Sequence, residues 1–421
     1  MDARDALEAT GVAVRAAGDG DEVAGVRPRW VALPESAEEI AAVMRVCAAH
    51  DLAAVATGGG TKLHWGAPPA RCDVLVDLCC MNRVPEHAAG DLVVRAQAGV
   101  TVEALARTLA EGGQELALDV PVPGTTVGGL LATGIAGPRR FRHGTARDLL
   151  IGVTVVLADG TIAKSGGKVV KNVAGYDLGK LFTGSYGTLG IIADATFRLH
   201  PLPAARAWVT ATVERPVTET GRVMSAADVL LTAVPAVTES PLEPSAVEID
   251  WPDVDGPCTL AVLVEGAAAA ERAKTLCELL GETAEVTEEP PPWWNRLPSP
   301  DDDALLELRI GVSSLPLMLP ALGEAAHASG VRPAIRGSLA AGTLHIGLRA
   351  LPHEIAGFVG LVRDDAEGMF DGRVVVLAAP QEAARRLDRW GRVGALPLMR
   401  RVKERFDPDR RLSPGRFLGG I

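Results

Sequence analysis

The sequence predicts an α+β protein on three observations. Residues 36–50 repeat their apolar positions at helical spacing behind Ser36, with Glu39 three positions on, and a short apolar run at 52–55 follows. Two apolar runs between 148 and 163 are joined by Asp159-Gly160, a strong hairpin signal. Beyond His200-Pro201-Leu202-Pro203, strands and helices alternate twice in a similar order, which helices segregated on one face of an antiparallel sheet would satisfy.

Taken in order, the first half reads as a helix over 36–50, a strand over 52–55, a glycine-rich turn and a strand over 74–78. A strand then starts at Leu92, and a helix over 102–111 opens on Thr101 and Glu103. The hairpin follows, and residues 189–199 alternate like a half-exposed strand. The composition changes at 200–203, so one domain is expected over 1–202 and a second over 203–395. The second reads as strands 246–249 and 259–264, a helix over 267–280 and a short strand at 285–287, with Pro290-Pro291-Pro292 breaking the chain. A strand over 305–312, a helix over 317–329, a strand over 343–348, a helix over 353–367 and a strand over 373–377 repeat the alternation.

Composition excludes several function classes. A chain of 421 residues allows two or three domains of about 150 residues. Hydrophobic residues at 48% and charged residues at 23% are ordinary globular usage. Aromatic residues are only 4%, too few for an extended base-stacking surface. Forty-two Lys and Arg against 53 Asp and Glu leave a net charge of -11, which speaks against a general nucleic-acid binder and against electrostatic attachment to anionic membrane. A local basic pocket is still allowed. No stretch approaches the roughly 20 apolar residues of a spanning helix, and the start Met1-Asp2-Ala3-Arg4-Asp5 lacks the net positive charge of a secretory segment. The expectation is a cytoplasmic protein with no direct membrane insertion. Cysteines at 47, 72, 79, 80, 258 and 277 include no Cys-x-x-Cys pair, so neither an iron–sulfur cluster nor a metal site is expected.

Three glycine-rich segments carry the functional signal. In Thr57, Gly58, Gly59, Gly60, Thr61 and Lys62, successive glycines permit positive φ and can aim consecutive N–H groups into one anion-binding concavity, with Lys62 adding charge. A flexible turn is the alternative for this stretch alone. The second segment holds Pro123, Gly124, Thr125, Thr126, Gly128, Gly129, Thr133 and Gly134. It resembles a helix start whose N–H groups would face an anion, and Arg139, Arg140, Arg142 and Arg147 follow closely. A solvated basic face is the plainer reading of those arginines, but four of them beside two glycine-rich loops in an acidic protein favour a local negative ligand. The third runs from Gly166 through Gly175-Tyr176-Asp177-Leu178 to Gly187, Gly190, Ile191 and Ile192, where glycines allow close backbone approach and the isoleucines could wall a flat ligand. Neither a Walker A loop nor a full Rossmann Gly-x-Gly-x-x-Gly occurs, so another phosphate-binding architecture is called for.

These residues resemble the FAD-binding domain of the vanillyl-alcohol-oxidase, or PCMH, type. Gly137-Pro138-Arg139-Arg140 with Gly144 and Arg147-Asp148, and Lys171-Asn172-Val173-Ala174-Gly175-Tyr176-Asp177, further resemble the FAD-binding subunit of bacterial glycolate oxidase. The closing Phe406-Asp407-Pro408 and Leu412-Ser413-Pro414-Gly415-Arg416 is similar to the C-terminal signature of related 2-hydroxyacid dehydrogenases. The resemblance implies a two-subdomain FAD-binding domain, an α+β cap domain with an antiparallel sheet, and a tail over 396–421 returning to the FAD domain. It implies one FAD, its diphosphate on 57–62 and 124–134, and its ring facing the C-terminal domain. Gly and Thr stand where some members carry a flavin-linking His, so the FAD is expected to be non-covalent.

Oxidation of a 2-hydroxy acid needs a carboxylate clamp and a base for the hydroxyl proton. Arg309, set among apolar strand residues, and His345 are the candidates. An ion pair with Glu307 and a satisfied strand histidine are their plainer readings. The metal-supporting His cluster of catalytic relatives is not evident. The chain is therefore expected to be a FAD-binding subunit of a glycolate-oxidase-like complex, with a paralogous flavoprotein and an iron–sulfur subunit as partners. A stand-alone dehydrogenase or oxidase of small 2-hydroxy acids is the alternative.

Overall fold

The computed structural model describes residues 2–167, 177–214, 226–298 and 304–421. The motif residues Lys171 to Tyr176 lie outside them. Contacts divide the chain into two compact units. One is Met1–Ala136 with Gly144–Leu202 and Gly394–Ile421, and the other is Gly137–His143 with Pro203–Val393.

The first unit holds two sheets. In the four-stranded one the order is Ala13–Ala16, Trp30–Leu33, Val74–Asp77, Ala54–Thr57, the last three strands being parallel. Helix Ala37–Ala49 starts where Ser36 accepts a hydrogen bond from the Glu39 N–H at 3.2 Å. The Glu39 carboxylate reaches past the cap to the N–H of Glu35 at 2.8 Å. Ile40, Val43, Met44 and Cys47 form the buried stripe that the periodicity requires. Because Ala54–Thr57 is parallel to its neighbour, the glycine-rich turn emerges at a strand carboxyl end, where open parallel sheets place their ligand crevices.

The five-stranded sheet is antiparallel throughout, in the order Glu86–Ala88, Val93–Gln97, Ile191–Arg198, Leu150–Val156, Ile162–Gly166. Its hairpin turns at Asp159-Gly160. Ile191–Arg198 is not half exposed. It is the central strand, and every residue from Ile191 to Phe197 is buried. The polar residues that mimicked an exposed face are internally satisfied: Asp194 accepts two hydrogen bonds from Arg95, at 2.9 and 2.8 Å, and one from Thr154 at 3.1 Å.

The C-terminal stretch belongs to this unit. Ala54 N–H donates to the Arg411 carbonyl at 2.7 Å and Ser413 N–H to the Ala54 carbonyl at 2.9 Å, which covers the open edge of strand Ala54–Thr57. Helix Leu396–Phe406 delivers Lys403, whose Nζ donates to Asp407 at 2.6 Å and to the carbonyls of Thr188 and Leu412. Asp407 also accepts from the N–H groups of Arg411 and Leu412.

The second unit is one eight-stranded antiparallel sheet built from two β-α-β-β-α-β halves. Its order is Ala284–Thr287, Arg206–Val213, Cys258–Glu265, Ala246–Trp251, Ala334–Ser338, Thr343–Leu348, Ala304–Arg309, Arg373–Ala378. Each half contributes the same internal strand order, read in opposite directions from the central seam. Helices Ala226–Thr238, Ala269–Leu280, Leu315–Ser329 and Pro352–Met369 share one core with the sheet face bearing Val209, Val247, Val262, Leu306, Ile346 and Val376. The alternate strand residues, among them Glu265, Glu307 and His345, lie on the other face. Strand 305–312 is shorter than expected, ending at Arg309 before a 3-10 turn at Val312–Ser314. Strands Arg206–Val213 and Ala334–Ser338 were not expected. Among the described residues no helix is long and apolar enough to cross a membrane.

Breaking a buried ion pair strands its partner. Asp407→Ala should therefore lower stability by about 3–5 kcal/mol in denaturant unfolding, whereas Arg4→Ala, which removes the exposed pair with Glu8, should leave the midpoint in place.

Candidate cofactor site

A cleft in the first unit is lined by the turn Thr57 to Lys62 together with Val55, Ala56, Leu63, Thr126, Gly129, Ala132, Thr133, Tyr186 and Arg416. The turn is held in place by close approach to the segment 124–126. A Cβ on Gly58 would collide with Thr126 Oγ1, and one on Gly59 with the Gly124 carbonyl oxygen. Of the three glycines only Gly60 uses the permitted positive φ, 69°; Gly58 and Gly59 are required by close approach. None of the N–H groups of Gly58, Gly59, Gly60, Thr61 and Lys62 donates to a described residue. Five adjacent donors on one turn form a concavity suited to diphosphate oxygens.

Lys62 is buried beside them, donating to Thr125 Oγ1 at 2.7 Å and Thr61 Oγ1 at 3.0 Å. Burial pulls its ammonium down to about 8, with Glu103 opposing. An anion in the cleft would restore the charge.

The second glycine segment plays a different part from the one expected. Helix Val127–Thr133 is capped by Thr126, but its first N–H groups are consumed inside the protein: Val127 donates to Val100 O, Gly128 to Ala98 O and Gly129 to Thr126 Oγ1. They do not form an anion site. Gly128 is needed because a Cβ would press on Ala98 at 2.9 Å. Gly124 has φ 73° and donates its N–H to Glu103, while Pro123 is exposed. Thr133 closes the last turn on the Gly129 carbonyl, and Gly134, φ 69°, ends the helix.

The arginine cluster also disperses. Residues Gly137–His143 group with the second unit, where Arg139 and His143 approach Glu265 at 3.5 and 3.7 Å and Arg142 bonds to the Glu243 carbonyl. Burial would raise Glu265, yet His143, Arg206, Arg139 and Ser245 together hold it down to about 2. Arg147 sits exposed on the short helix Ala146–Leu149, outside the cleft lining. Gly187, φ 72°, and Gly190, packed on the Phe182 ring, shape the turn before strand Ile191–Arg198. Ile191 and Ile192 are core residues, 1% and 5% exposed, and do not line the cleft as expected.

Sequence reasoning missed Tyr186 and Arg416 as lining residues. Tyr186 has a non-glycine positive φ of 55° and stacks on Phe417 with ring centroids 5.5 Å apart. Arg416 stood in a motif already noted, but its spatial partners are some 350 residues away in sequence.

On the second unit, Arg309 is not surrounded by apolar residues. Its side chain is 56% exposed, and its Nε meets Glu307 at 2.7 Å. His345 is buried opposite Glu307 on the neighbouring strand, with Nε2 3.7 Å from the carboxylate and no hydrogen-bond partner for that nitrogen. Burial pushes the imidazole down to about 4 despite Glu307, so it is neutral at pH 7. Burial also opposes the Glu307 charge, but Arg309, His345 and Arg140 outweigh it and keep the carboxylate below its ordinary value. Among the described residues no group of three or more His, Cys, Asp or Glu side chains converges as a metal site would require.

The glycine-built cleft presents a row of backbone donors of the kind that receives an anion. Residues 28–166 match the FAD binding domain family. The chain is 37% identical over 182 residues to a mitochondrial D-lactate dehydrogenase [cytochrome] of Saccharomyces cerevisiae, covering 42% of this chain and 31% of that protein. It is 35% identical over 188 residues to glycolate oxidase subunit GlcD of Bacillus subtilis, covering 44% and 40%. These matches thus span well under half the length of either relative. A solved chitooligosaccharide oxidase shares the fold at TM-score 0.68 over 97% of both chains, with 16% identity.

Two outcomes follow. Gly59→Ala should displace the turn and weaken FAD binding at least tenfold in a fluorescence titration, while Gly113→Ala, at an open surface position of positive φ, should cost only stability. Because Lys62 is free at about 8 and an anion raises it, FAD affinity should be steady below that value and fall as pH rises through it. Lys62→Met should flatten the profile.

Proposed function

We propose that this chain is the FAD-carrying subunit of a glycolate-oxidase-like assembly that oxidises a small 2-hydroxy acid to a 2-oxo acid. Its partners would be a paralogous flavoprotein and an iron–sulfur subunit, in the cytoplasm. The observation that carries the reading is the row of five uncommitted N–H donors on the 57–62 turn, within an FAD-binding domain whose named relatives act on D-lactate or belong to glycolate oxidase. Bound FAD, held non-covalently, supplies a two-electron acceptor. The turn and Lys62 hold its diphosphate, and Thr126, Thr133 and Tyr186 wall the cleft.

The second unit favours a supporting role. Arg309, the expected clamp, is already engaged by Glu307, so a substrate carboxylate would have to compete with a carboxylate two residues away on the same strand. The stand-alone reading draws on His345, neutral and buried with an uncommitted ring nitrogen, which has the protonation state of a base.

Anaerobic mixing with glycolate or D-lactate tests the proposal. The FAD-loaded isolated chain should stay yellow, and the assembly purified at native levels should bleach. Rapid bleaching of the isolated chain would refute the subunit role, and His345→Asn should then slow that bleaching about a hundredfold or more. Peroxide formed in air would identify an oxidase.

A further inference from the structure

Arg416 lies far outside the residues matched by the FAD-binding domain family, yet it lines the cleft. It is 4% exposed, and its Nη2 donates to the carbonyls of Leu63 at 3.1 Å and Trp65 at 2.7 Å, directly after the glycine-rich turn. The main chain repeats the connection: Ala67 N–H donates to the Arg416 carbonyl at 3.1 Å and Ala70 N–H to the Pro414 carbonyl at 2.7 Å. At Gly66, φ 73°, an added Cβ would press on the Arg416 carbonyl at 3.0 Å and on the Tyr186 ring at 3.2 Å. Before the turn, Ala54 exchanges hydrogen bonds with Arg411 and Ser413. The segment 411–417 therefore straps both ends of the turn, and Lys403 and Asp407 tie the strap down at Leu412.

We propose that this strap is a working part of the cofactor site and that Arg416 is its positioning residue. The guanidinium holds the carbonyls of Leu63 and Trp65, so the chain leaves the turn in one direction and the N–H groups of Gly58 to Lys62 are kept together at the cleft. It also places a buried positive charge beside a cleft built for an anion. The inference rests on the FAD reading of that cleft.

The test uses the full chain with FAD. Arg416→Gln should weaken FAD binding about tenfold or more in a fluorescence titration, with circular dichroism unchanged, and Arg416→Lys should recover part of the loss. Should the Gln variant not fold, hydrogen exchange on the unaltered chain decides. FAD should slow exchange at the amides of Arg416 and Phe417, which bond to Ser413 and Ile421, as well as in the domain 28–166. Equal FAD affinity in folded Arg416→Gln, or protection confined to 28–166, would overturn the proposal. An unaltered chain that binds no FAD would remove the reading beneath it.

Discussion

The contact on which the first unit's site depends is the close approach of the turn to its neighbour, Gly58 against the Thr126 side chain and Gly59 against the Gly124 backbone. No side chain fits there. The main chain of the turn can then lie flat along the neighbouring segment, leaving its own donors for whatever enters the cleft. Thr126 serves twice, as the wall that Gly58 meets and as the cap of helix Val127–Thr133. Lys62 extends the same logic, since its ammonium is anchored on Thr125, one residue before that cap. Preorganisation of this kind lowers the ordering cost of binding a charged ligand.

The second unit is governed by a different constraint. A sheet made of two similar halves has one face sealed by four helices, so its chemistry must come from the alternate residues of each strand. Those residues include cross-strand pairs, Arg206 with Glu265, Asp250 with Arg336, and Glu307 with His345. Residues Gly137–His143 join this unit and bring Arg139 and His143 to Glu265, which is why the sequence-adjacent arginines do not act as one patch.

What could be read in advance follows from the range of the interactions. Helices Ala37–Ala49 and Val102–Glu111 were legible to within a residue because Ser36 and Thr101 cap them locally. Strand Thr343–Leu348 was legible because its pattern is continuous. Strand Ala334–Ser338 was not: Arg336, Gly337 and Ser338 carry little strand signal, and Gly337 is there because a Cβ would collide with Thr343 in the paired strand. The 57–62 turn was visible as a glycine run. The committed N–H groups of Val127 and Gly128 and the contribution of Arg416 were not, because both depend on partners distant in sequence.

An equilibrium titration of the chain with FAD, FMN and riboflavin is the most direct check on the backbone cradle. Donors gathered for a dinucleotide diphosphate predict one FAD per chain and affinities for FMN and riboflavin weaker by about a hundredfold or more. A folded chain that takes FMN as tightly as FAD, or that stays colourless in excess FAD, would contradict the account.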